Sequence, residues 1–162
     1  MKKMIFAVNQ YGEFGLGEGM PWPKSKEDMK HFKEYTHNNI IIAGRKTAET
    51  FPSSLPYRCM LCLTSSTEPV KYKDGSSVAH QKNELPDLYD YTIIGGKSLI
   101  EKNIKDMDEV SITKFYLDHL ECDVRLNLIH IENMLNKYFK KKESKSIQNG
   151  VITIWEKYQK NN

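Results

Sequence analysis

The stretch Ile40-Ile41-Ile42-Ala43-Gly44-Arg45-Lys46-Thr47 decides the fold class of this chain. Its first four residues are all apolar, which is typical of a central parallel strand that is covered on both faces. The small, basic and hydroxylated residues that follow indicate a tight turn into a short helix, which must end near Pro52 because proline interrupts helices. This order of buried strand, turn and helix predicts an α/β fold.

Apolar runs on both sides of this stretch predict further strands. The runs that indicate buried strands are residues 4–8, 58–63, 91–94 and 109–113. A weaker strand is predicted near residues 77–80. Residues 138–142 and 151–158 predict two antiparallel strands, joined by a lysine-rich solvated connection that turns at Asn149-Gly150.

Two further helices are predicted. The first covers residues 25–36, with Ser25 as a plausible N-cap. The second lies near residues 99–103, and one further helical turn is expected before Tyr89. Residues 9–23 contain four glycines and are predicted to form a long loop that can move, since Met20-Pro21-Trp22-Pro23 prevents a helix from starting there.

Three predicted strands run directly into small, hydroxylated or basic residues. In an open α/β sheet, ligands bind at the carboxyl ends of strands, where free amides and helix N-termini attract phosphate. Three such ends favour a dinucleotide, although the same residues could simply make tight turns. Gly96-Lys97-Ser98 does not complete a P-loop, because Tyr91 occupies the position of the required first glycine. The three ends are Gly44-Arg45-Lys46-Thr47, Thr64-Ser65 and Gly95-Gly96-Lys97-Ser98.

The composition excludes several classes of protein. The 162 residues carry 24 Lys and Arg against 21 Asp and Glu, and the net charge of +3 is too small for a general nucleic-acid-binding surface. A chain of this length buries about two-thirds of its unfolded surface, so we expect one domain over residues 1–162. Residues 4–8 are too short for the apolar region of a signal peptide, and no run approaches the roughly 20 residues of a membrane span, which predicts a cytoplasmic protein.

The cysteines and histidines give no sign of a metal or redox site. An odd count of three cysteines fits a reducing compartment. Cys59 and Cys62 have redox spacing, but positions three apart in a strand point to opposite faces, so we interpret them as buried structural cysteines. The five histidines lack metal-ligand spacing, and we predict no metal site.

Asp28 is the most informative residue of the predicted first helix. It lies four residues before Phe32 and seven before Tyr35, along the apolar stripe of the helix. One interpretation is a first-turn carboxylate beside Ser25 that interacts favourably with the helix dipole. The other is a buried acid whose pKa is raised from about 3.9 and that can hold or relay a proton near neutral pH.

Several motifs, taken together in their order and spacing, carry a family resemblance. They are Gly19-Met20-Pro21-Trp22, Asp28 with Phe32-Lys33, Gly44-Arg45-Lys46-Thr47, Leu55-Pro56 with Arg58, Ile93-Ile94-Gly95-Gly96, and Thr113. With these motifs the chain resembles dihydrofolate reductase along almost its whole length, and residues 14–17 and 50–52 are similar to viral members. The resemblance implies NADPH-dependent reduction of 7,8-dihydrofolate to tetrahydrofolate by a monomer with which antifolates compete. It also implies a mostly parallel sheet of about eight strands, with an antiparallel C-terminal strand and flanking helices.

The resemblance implies a substrate site around Asp28. Asp28 would bind the pterin's amino group and ring with support from Thr113, and would promote protonation of the pterin imine directly or through water near Met20 and Trp22. Arg58 would bind the glutamate carboxylate as a bidentate fork. The remaining substrate residues would be Ile5, Met29, Phe32 and Ile94 around the pterin, and Leu55 near the aminobenzoyl group.

The resemblance also implies a cofactor site. Nicotinamide would lie beside Ala7 and under the loop over residues 9–23, called the glycine loop below. A cis peptide bond would join Gly95 and Gly96. The loop residues would be Phe14, Leu16 and Met20. Residues for the phosphates, the ribose and the 2′-phosphate would be Gly44, Arg45, Lys46, Thr47, Leu63, Thr64, Ser65, Gly95, Gly96, Lys97, Ser98 and Leu99.

The chain departs from the family pattern at Lys97, Ser98, Ile100 and Cys122. Because Cys122 stands before Asp123 where glycine is usual, we expect an altered contact between this segment and the glycine loop. Two alternatives stay open. One is a reductase of the same scaffold that acts on a pyrimidine intermediate of riboflavin synthesis, and the other is a nucleotide-binding or assembly protein without turnover.

Overall fold

The computed structural model describes residues 1–158 as strands and helices that alternate along the chain. The strands are β1 (Lys2–Asn9), β2 (Glu13–Gly15), β3 (Ile40–Gly44), β4 (Cys59–Leu63), β5 (Val70–Lys71), β6 (Ser77–Gln81), β7 (Tyr91–Gly95), β8 (Glu109–Phe115), β9 (Val124–Arg125), β10 (Phe139–Ile147) and β11 (Gly150–Lys157). The helices are α1 (Lys26–Tyr35), α2 (Arg45–Glu49), α3 (Lys97–Asn103) and α4 (Leu128–Tyr138), and a 3-10 turn covers Ile104–Asp106.

Nine of the strands form one sheet in the order β10-β11-β8-β1-β7-β3-β4-β6-β5. The six strands from β8 to β6 in this order run parallel to one another, whereas β11, β10 and β5 pair antiparallel to their neighbours. The predicted α/β class, the mostly parallel sheet and the antiparallel C-terminal strand are confirmed. The strand that sequence reasoning did not anticipate in this sheet is β5, which has only two residues and therefore leaves no periodic pattern.

The sheet carries an apolar cluster on each face, because successive residues of a strand point to opposite sides. Met4, Phe6 and Val8 of β1 belong to one cluster, which also contains residues of α3 and α4. Ile5 of β1 belongs to the other, against which Phe32 of α1 packs. Helices therefore cover both faces, as expected of central strands with continuous apolar sequence.

Helix α4 was missed by sequence reasoning. The Asn127 side chain caps it by accepting a hydrogen bond from His130 N at 3.1 Å, and Ile131 and Leu135 are buried in the core. The spacing of Leu128, Ile131 and Leu135 is the signal that could have revealed this helix.

Four smaller expectations were wrong. The loop over residues 9–23 contains β2, which pairs with β9. The lysine-rich connection is instead part of β10, whose charged side chains suit an exposed edge strand, and the chain turns at Asn149 as expected. No helical turn precedes Tyr89. Cys59 is exposed, whereas Cys62 is fully buried.

Within residues 1–158, none of the helices has the length and apolar character that crossing a membrane requires.

Candidate active site

The carboxyl ends of the central parallel strands meet at one edge of the sheet. Gly44 at the end of β3 pairs in register with Leu63 at the end of β4, and Ala43 pairs with Gly95 at the end of β7. Because these strands are parallel, the segments that follow them emerge on the same side. The structure thus brings together the three strand ends that the sequence singled out.

Asp28 lies in the first turn of α1, directly opposite β8. Ser25 caps the helix, since its Oγ accepts a hydrogen bond from Asp28 N at 3.2 Å. The Asp28 side chain turns to the sheet, where Thr113 Oγ1 donates a hydrogen bond to Asp28 Oδ1 at 2.6 Å. Asp28 is therefore both a first-turn residue bonded to the N-cap and an inward-facing carboxyl, two positions that sequence reasoning treated as alternatives.

The environment of Asp28 favours its protonated form. Burial raises the pKa of this carboxyl above its ordinary value, while the Thr113 hydrogen bond and the nearby His31 act in the opposite direction and lower the pKa. Thr113 itself is buried within β8. The pKa of Asp28 therefore reflects a balance in which burial outweighs the opposing effects of Thr113 and His31.

Four of the predicted substrate residues lie in one apolar cluster on the α1 face of the sheet. Ile5 and Ile94 are buried there, and Phe32 and Leu55 pack against them while remaining partly accessible. Met29 is 53% exposed and is not part of this cluster. The cluster offers an apolar surface on the same face of the sheet as α1.

Arg58 precedes β4 and is oriented by hydrogen bonds to one nearby carbonyl and to one residue at the end of α1. Its Nε donates to Pro56 O at 2.9 Å, and its Nη1 donates to Thr36 Oγ1 at 3.3 Å. Thr36 is fully buried and its hydroxyl in turn donates to Phe32 O. These contacts hold the half-buried guanidinium beside the C-terminal end of α1.

Gly95 and Gly96 form a closely packed segment between β7 and α3, joined by a cis peptide bond. A Cβ at Gly96 would lie 3.3 Å from Thr47 Oγ1, and one at Gly95 would lie 3.5 Å from the same atom. Phe14 approaches from the loop, with its Cζ 3.9 Å from the Cβ position at Gly95. A side chain at Gly96 would therefore require Thr47 to shift by a few tenths of an ångström, and the φ of +141° at Gly95 is one that residues with side chains rarely adopt.

The other predicted cofactor residues differ in their hydrogen bonds and in their exposure to solvent. Arg45 is engaged within the chain: its Nη atoms donate to Glu68 O and Pro69 O at 3.1 and 2.7 Å, and its Nε pairs with Glu49 at 2.6 Å. Thr64 Oγ1 accepts a hydrogen bond from Ser66 N. Leu63 is buried, Gly44, Thr47 and Leu99 are partly buried, and the residues that face solvent are Lys46, Ser65, Lys97 and Ser98.

The glycine loop is tied to the segment before β9. Gly17 N donates to Asp123 Oδ2 at 2.9 Å, and Asp123 N donates to Gly15 O at 2.9 Å. The contact between this segment and the loop is therefore present, with Cys122 in place. Leu16 and Met20 are 37% and 48% exposed.

Trp22 and Ala7 complete the predicted set. Trp22 is buried and packs on Phe115, with ring centroids 4.9 Å apart. Its Nε1 has no hydrogen-bond partner among residues 1–158. Ala7 pairs in register with Thr113 across β1 and β8, so it lies beside the residue that holds Asp28.

Sequence reasoning missed a buried pair of hydrogen-bonded residues, Asn9 and Glu13, at the start of the glycine loop. Asn9 Nδ2 donates to Glu13 Oε1 at 2.9 Å, and Asn9 Oδ1 accepts from Glu13 N at 2.8 Å. Arg125 of β9 lies 3.9 Å from the same carboxylate. The four-residue spacing of Asn9 and Glu13 is a weak signal on its own, because the pairing depends on the tight turn between them.

Comparisons of the sequence with known proteins match dihydrofolate reductases. The family model described as dihydrofolate reductase matches residues 1–160. Dihydrofolate reductase type 9 from Escherichia coli is 33% identical over 135 residues, which cover 77% of this chain and 75% of that protein. The dihydrofolate reductase of Mycoplasma genitalium is 29% identical over 159 residues, which cover 86% and 97% of the two chains.

A solved structure is also similar. Dihydrofolate reductase from Enterococcus faecalis, complexed with NADP(H) and RAB-propyl, has a TM-score of 0.75 to this chain at 22% sequence identity. The match covers 98% of this chain and 97% of that one, which shows that the two share a fold.

Proposed function

The chain belongs to the dihydrofolate reductase family, and from that premise we propose that it reduces 7,8-dihydrofolate to tetrahydrofolate by hydride transfer from NADPH. The observation that carries this proposal is the half-buried carboxyl of Asp28, held at 2.6 Å by Thr113 beside an apolar cluster. A buried acid next to an apolar surface suits a flat heterocycle that must gain a proton.

The residues at the strand ends fit a dinucleotide. The Gly95-Gly96 segment and Thr47 form a close-packed cradle that a side chain would fill. Lys46, Lys97 and Ser98 are exposed next to it and can bind phosphate, and Thr64 and Ser65 follow the neighbouring strand. Arg45 is already engaged with Glu49 and two carbonyl groups, so we assign it the lesser part in binding phosphate. The related Enterococcus faecalis enzyme is complexed with NADP(H).

NADPH, when bound, supplies the hydride, and the chain's own residues orient the substrate and move the proton. Thr113 fixes Oδ1 of Asp28, which leaves Oδ2 to contact the pterin and to favour protonation of its imine nitrogen. The buried Trp22 Nε1, which lacks a partner among residues 1–158, can donate to a water molecule at the site. The loop that carries Leu16 and Met20 would exclude bulk water.

Substrate binding would use the apolar cluster and Arg58. Ile5, Phe32 and Ile94 would contact the pterin, with Leu55 near the aminobenzoyl group. Arg58 is held by Pro56 O and Thr36, so its planar guanidinium is already oriented for a carboxylate. The exposed Met29 would contact the substrate only at its edge.

We also propose that residues 1–162 form one domain that acts as a cytoplasmic monomer and that antifolates compete for the Asp28 site. The edge strand β10 supports the monomer, because its exposed lysines discourage pairing with a second sheet. Sedimentation of the purified protein tests this part of the proposal, and a dimer at micromolar concentration would contradict it.

The direct test is an absorbance assay at 340 nm with NADPH and dihydrofolate. We expect turnover, and we expect Asp28→Asn to reduce it by roughly 10²-fold or more at neutral pH, because acid assistance contributes about that much. Glu27→Gln is the matched control, since it removes the adjacent carboxylate, which is exposed and contacts Gln148 N instead. Undiminished turnover in Asp28→Asn would remove this residue from the mechanism, and absence of turnover in the parent protein would contradict the function.

A further inference from the structure

Helix α1 is joined to β8 by three side-chain hydrogen bonds arranged as a ladder. Tyr35 Oη donates to Glu109 Oε1 at 2.8 Å, and Thr113 Oγ1 donates to Asp28 Oδ1 at 2.6 Å. Between them, His31 Nε2 lies 2.7 Å from Ser111 Oγ. Residues 109, 111 and 113 share one face of the strand, and residues 28, 31 and 35 share one face of the helix, so the three bonds form adjacent rungs.

The middle rung is adjacent to the candidate acid. His31 is three residues after Asp28, and side chains at this spacing are neighbours on a helix surface, about 5–6 Å apart at Cβ. Ser111 is two residues before Thr113 in β8 and is fully buried. The His31 ring also packs against the Tyr35 ring, with centroids 5.4 Å apart. The imidazole is therefore held in place from both sides.

His31 also borders a groove, about 330 Å³ in volume, between α1 and the β10–β11 hairpin. The pKa of His31 lies below its ordinary value, because burial lowers it by more than the negative charge of Asp28 raises it. Ile152 and Ile154 of β11 supply apolar lining to the groove. The charged groups around it are Glu27, Lys30 and Glu34 of α1 and Glu143 and Lys145 of β10.

We propose that His31 is a positioning residue for Asp28: Ser111 holds its imidazole beside the carboxyl, where the charge on His31 sets how readily Asp28 takes up a proton. This inference deepens the proposed function, on which its kinetic test rests. The groove gives His31 its own access to solvent protons, on the side of α1 that faces β10. The two groups then titrate as a coupled pair.

The sign of the effect follows from the charges. A protonated His31 stabilises the ionised form of Asp28 and so lowers the pKa of Asp28. Replacement by a neutral side chain removes that stabilisation, so Asp28 keeps its proton to higher pH. If the protonated acid promotes hydride transfer, the rate must then persist to higher pH as well.

The kinetic test compares pH profiles of hydride transfer for His31→Gln, Ser111→Ala and the parent protein. We expect the midpoint of the decline at high pH to rise by about 0.5–1 pH unit in His31→Gln. In Ser111→Ala it should rise by less, because the imidazole remains but is no longer held. Lys30→Gln is the control, since it removes a full positive charge from the same helix at a side chain that is 77% exposed. We expect it to leave the midpoint within about 0.2 unit.

A lower rate in His31→Gln with an unchanged midpoint would overturn the proposal, because a merely structural role lowers the rate at all pH values alike. Equal shifts in His31→Gln and Lys30→Gln would also overturn it, since they would show a general charge effect.

A second measurement needs no turnover. The NMR titration of His31 Cε1–H, assigned by its loss in the His31→Gln spectrum or by the ring contact to Tyr35, is compared in the parent protein and in Asp28→Asn. We expect the pKa of His31 to fall by about 0.5 unit or more in Asp28→Asn, because the neighbouring negative charge is gone. An unchanged titration would overturn the inference. If the parent protein fails to reduce dihydrofolate, the proposed function fails, while this titration still decides whether His31 and Asp28 are coupled.

Discussion

Thr113 Oγ1 donates a 2.6 Å hydrogen bond to Asp28 Oδ1 and so joins β8 to the first turn of α1 across 85 residues of sequence. The bond orients a carboxyl whose pKa is raised by burial. The second oxygen of Asp28 accepts no hydrogen bond from residues 1–158.

Thr113→Val should change both stability and the pH profile. Valine has nearly the same shape but cannot donate to Asp28, and a hydrogen bond to a charged group contributes about 1.5–3 kcal/mol. We expect the free energy of unfolding at pH 8 to fall by about that amount in urea titrations. The pKa of Asp28 should rise, because the Thr113 hydrogen bond lowers it, and the decline of hydride transfer should move to higher pH. Exposed Thr67→Val is the control. A stable variant with an unchanged profile would contradict the assigned contact.

Asp28→Asn should stabilise the protein at high pH and not at low pH. Burial raises the folded-state pKa of Asp28 above its unfolded value, so its contribution to stability is fully present below the unfolded pKa of about 3.8 and is lost as pH rises through the folded pKa. Asparagine keeps an oxygen for Thr113 and carries no charge. We expect a gain of up to about 1 kcal/mol at pH 8 and none near pH 4 in urea titrations. A gain that does not depend on pH would show that ionisation is not its cause.

Arg58→Leu should weaken substrate binding and leave cofactor binding unchanged. A desolvated carboxylate that loses its guanidinium partner costs about 2–4 kcal/mol, which is a factor of roughly 30 to 10³ in the dissociation constant. Fluorescence titration with dihydrofolate and, separately, with NADPH measures the two affinities. The exposed Lys82→Leu removes one positive charge elsewhere and is the control. Equal loss of both affinities would mean that Arg58 supports the fold rather than the substrate.

Asp123→Ala should loosen the glycine loop. The variant removes the carboxylate that accepts a hydrogen bond from Gly17 N at 2.9 Å. We expect the hydride-transfer rate to fall by about 10-fold, the equivalent of roughly 1.4 kcal/mol, because a less ordered loop closes the site less often. Glu121→Ala, an exposed position two residues earlier, should leave the rate unchanged. Parallel losses in both variants would indicate damage to the segment rather than loss of one contact.

The strand ends show how much local sequence can predict. Residues 40–47 and 91–98 carry the apolar run, the glycines and the polar residues within a few positions, and the structure places them at one edge of the sheet. The helix start at Ser25 is equally local, since the cap and its acceptor are three residues apart. In each case the relevant interaction lies within one turn or one strand.

Other features escaped prediction because their partners are distant in sequence. β2 exists only because β9, more than a hundred residues away, pairs with it. By contrast, residues 143–147 of β10 lie next to their partner β11 in sequence, and they escaped prediction because their charged and polar side chains show no apolar alternation. The contact between His31 and Ser111 spans 80 residues, and neither residue suggests the other.

The sequence by itself determined the fold class, the strand ends that meet at one edge of the sheet and the helix that carries Asp28, because side-chain periodicity and capping act over a few residues. Only the tertiary structure decided that Thr113 and Ser111 hold Asp28 and His31 on neighbouring rungs, and that Arg45 is engaged within the chain. These contacts depend on strand order and register, which are set by the packing of the whole sheet rather than by any local stretch.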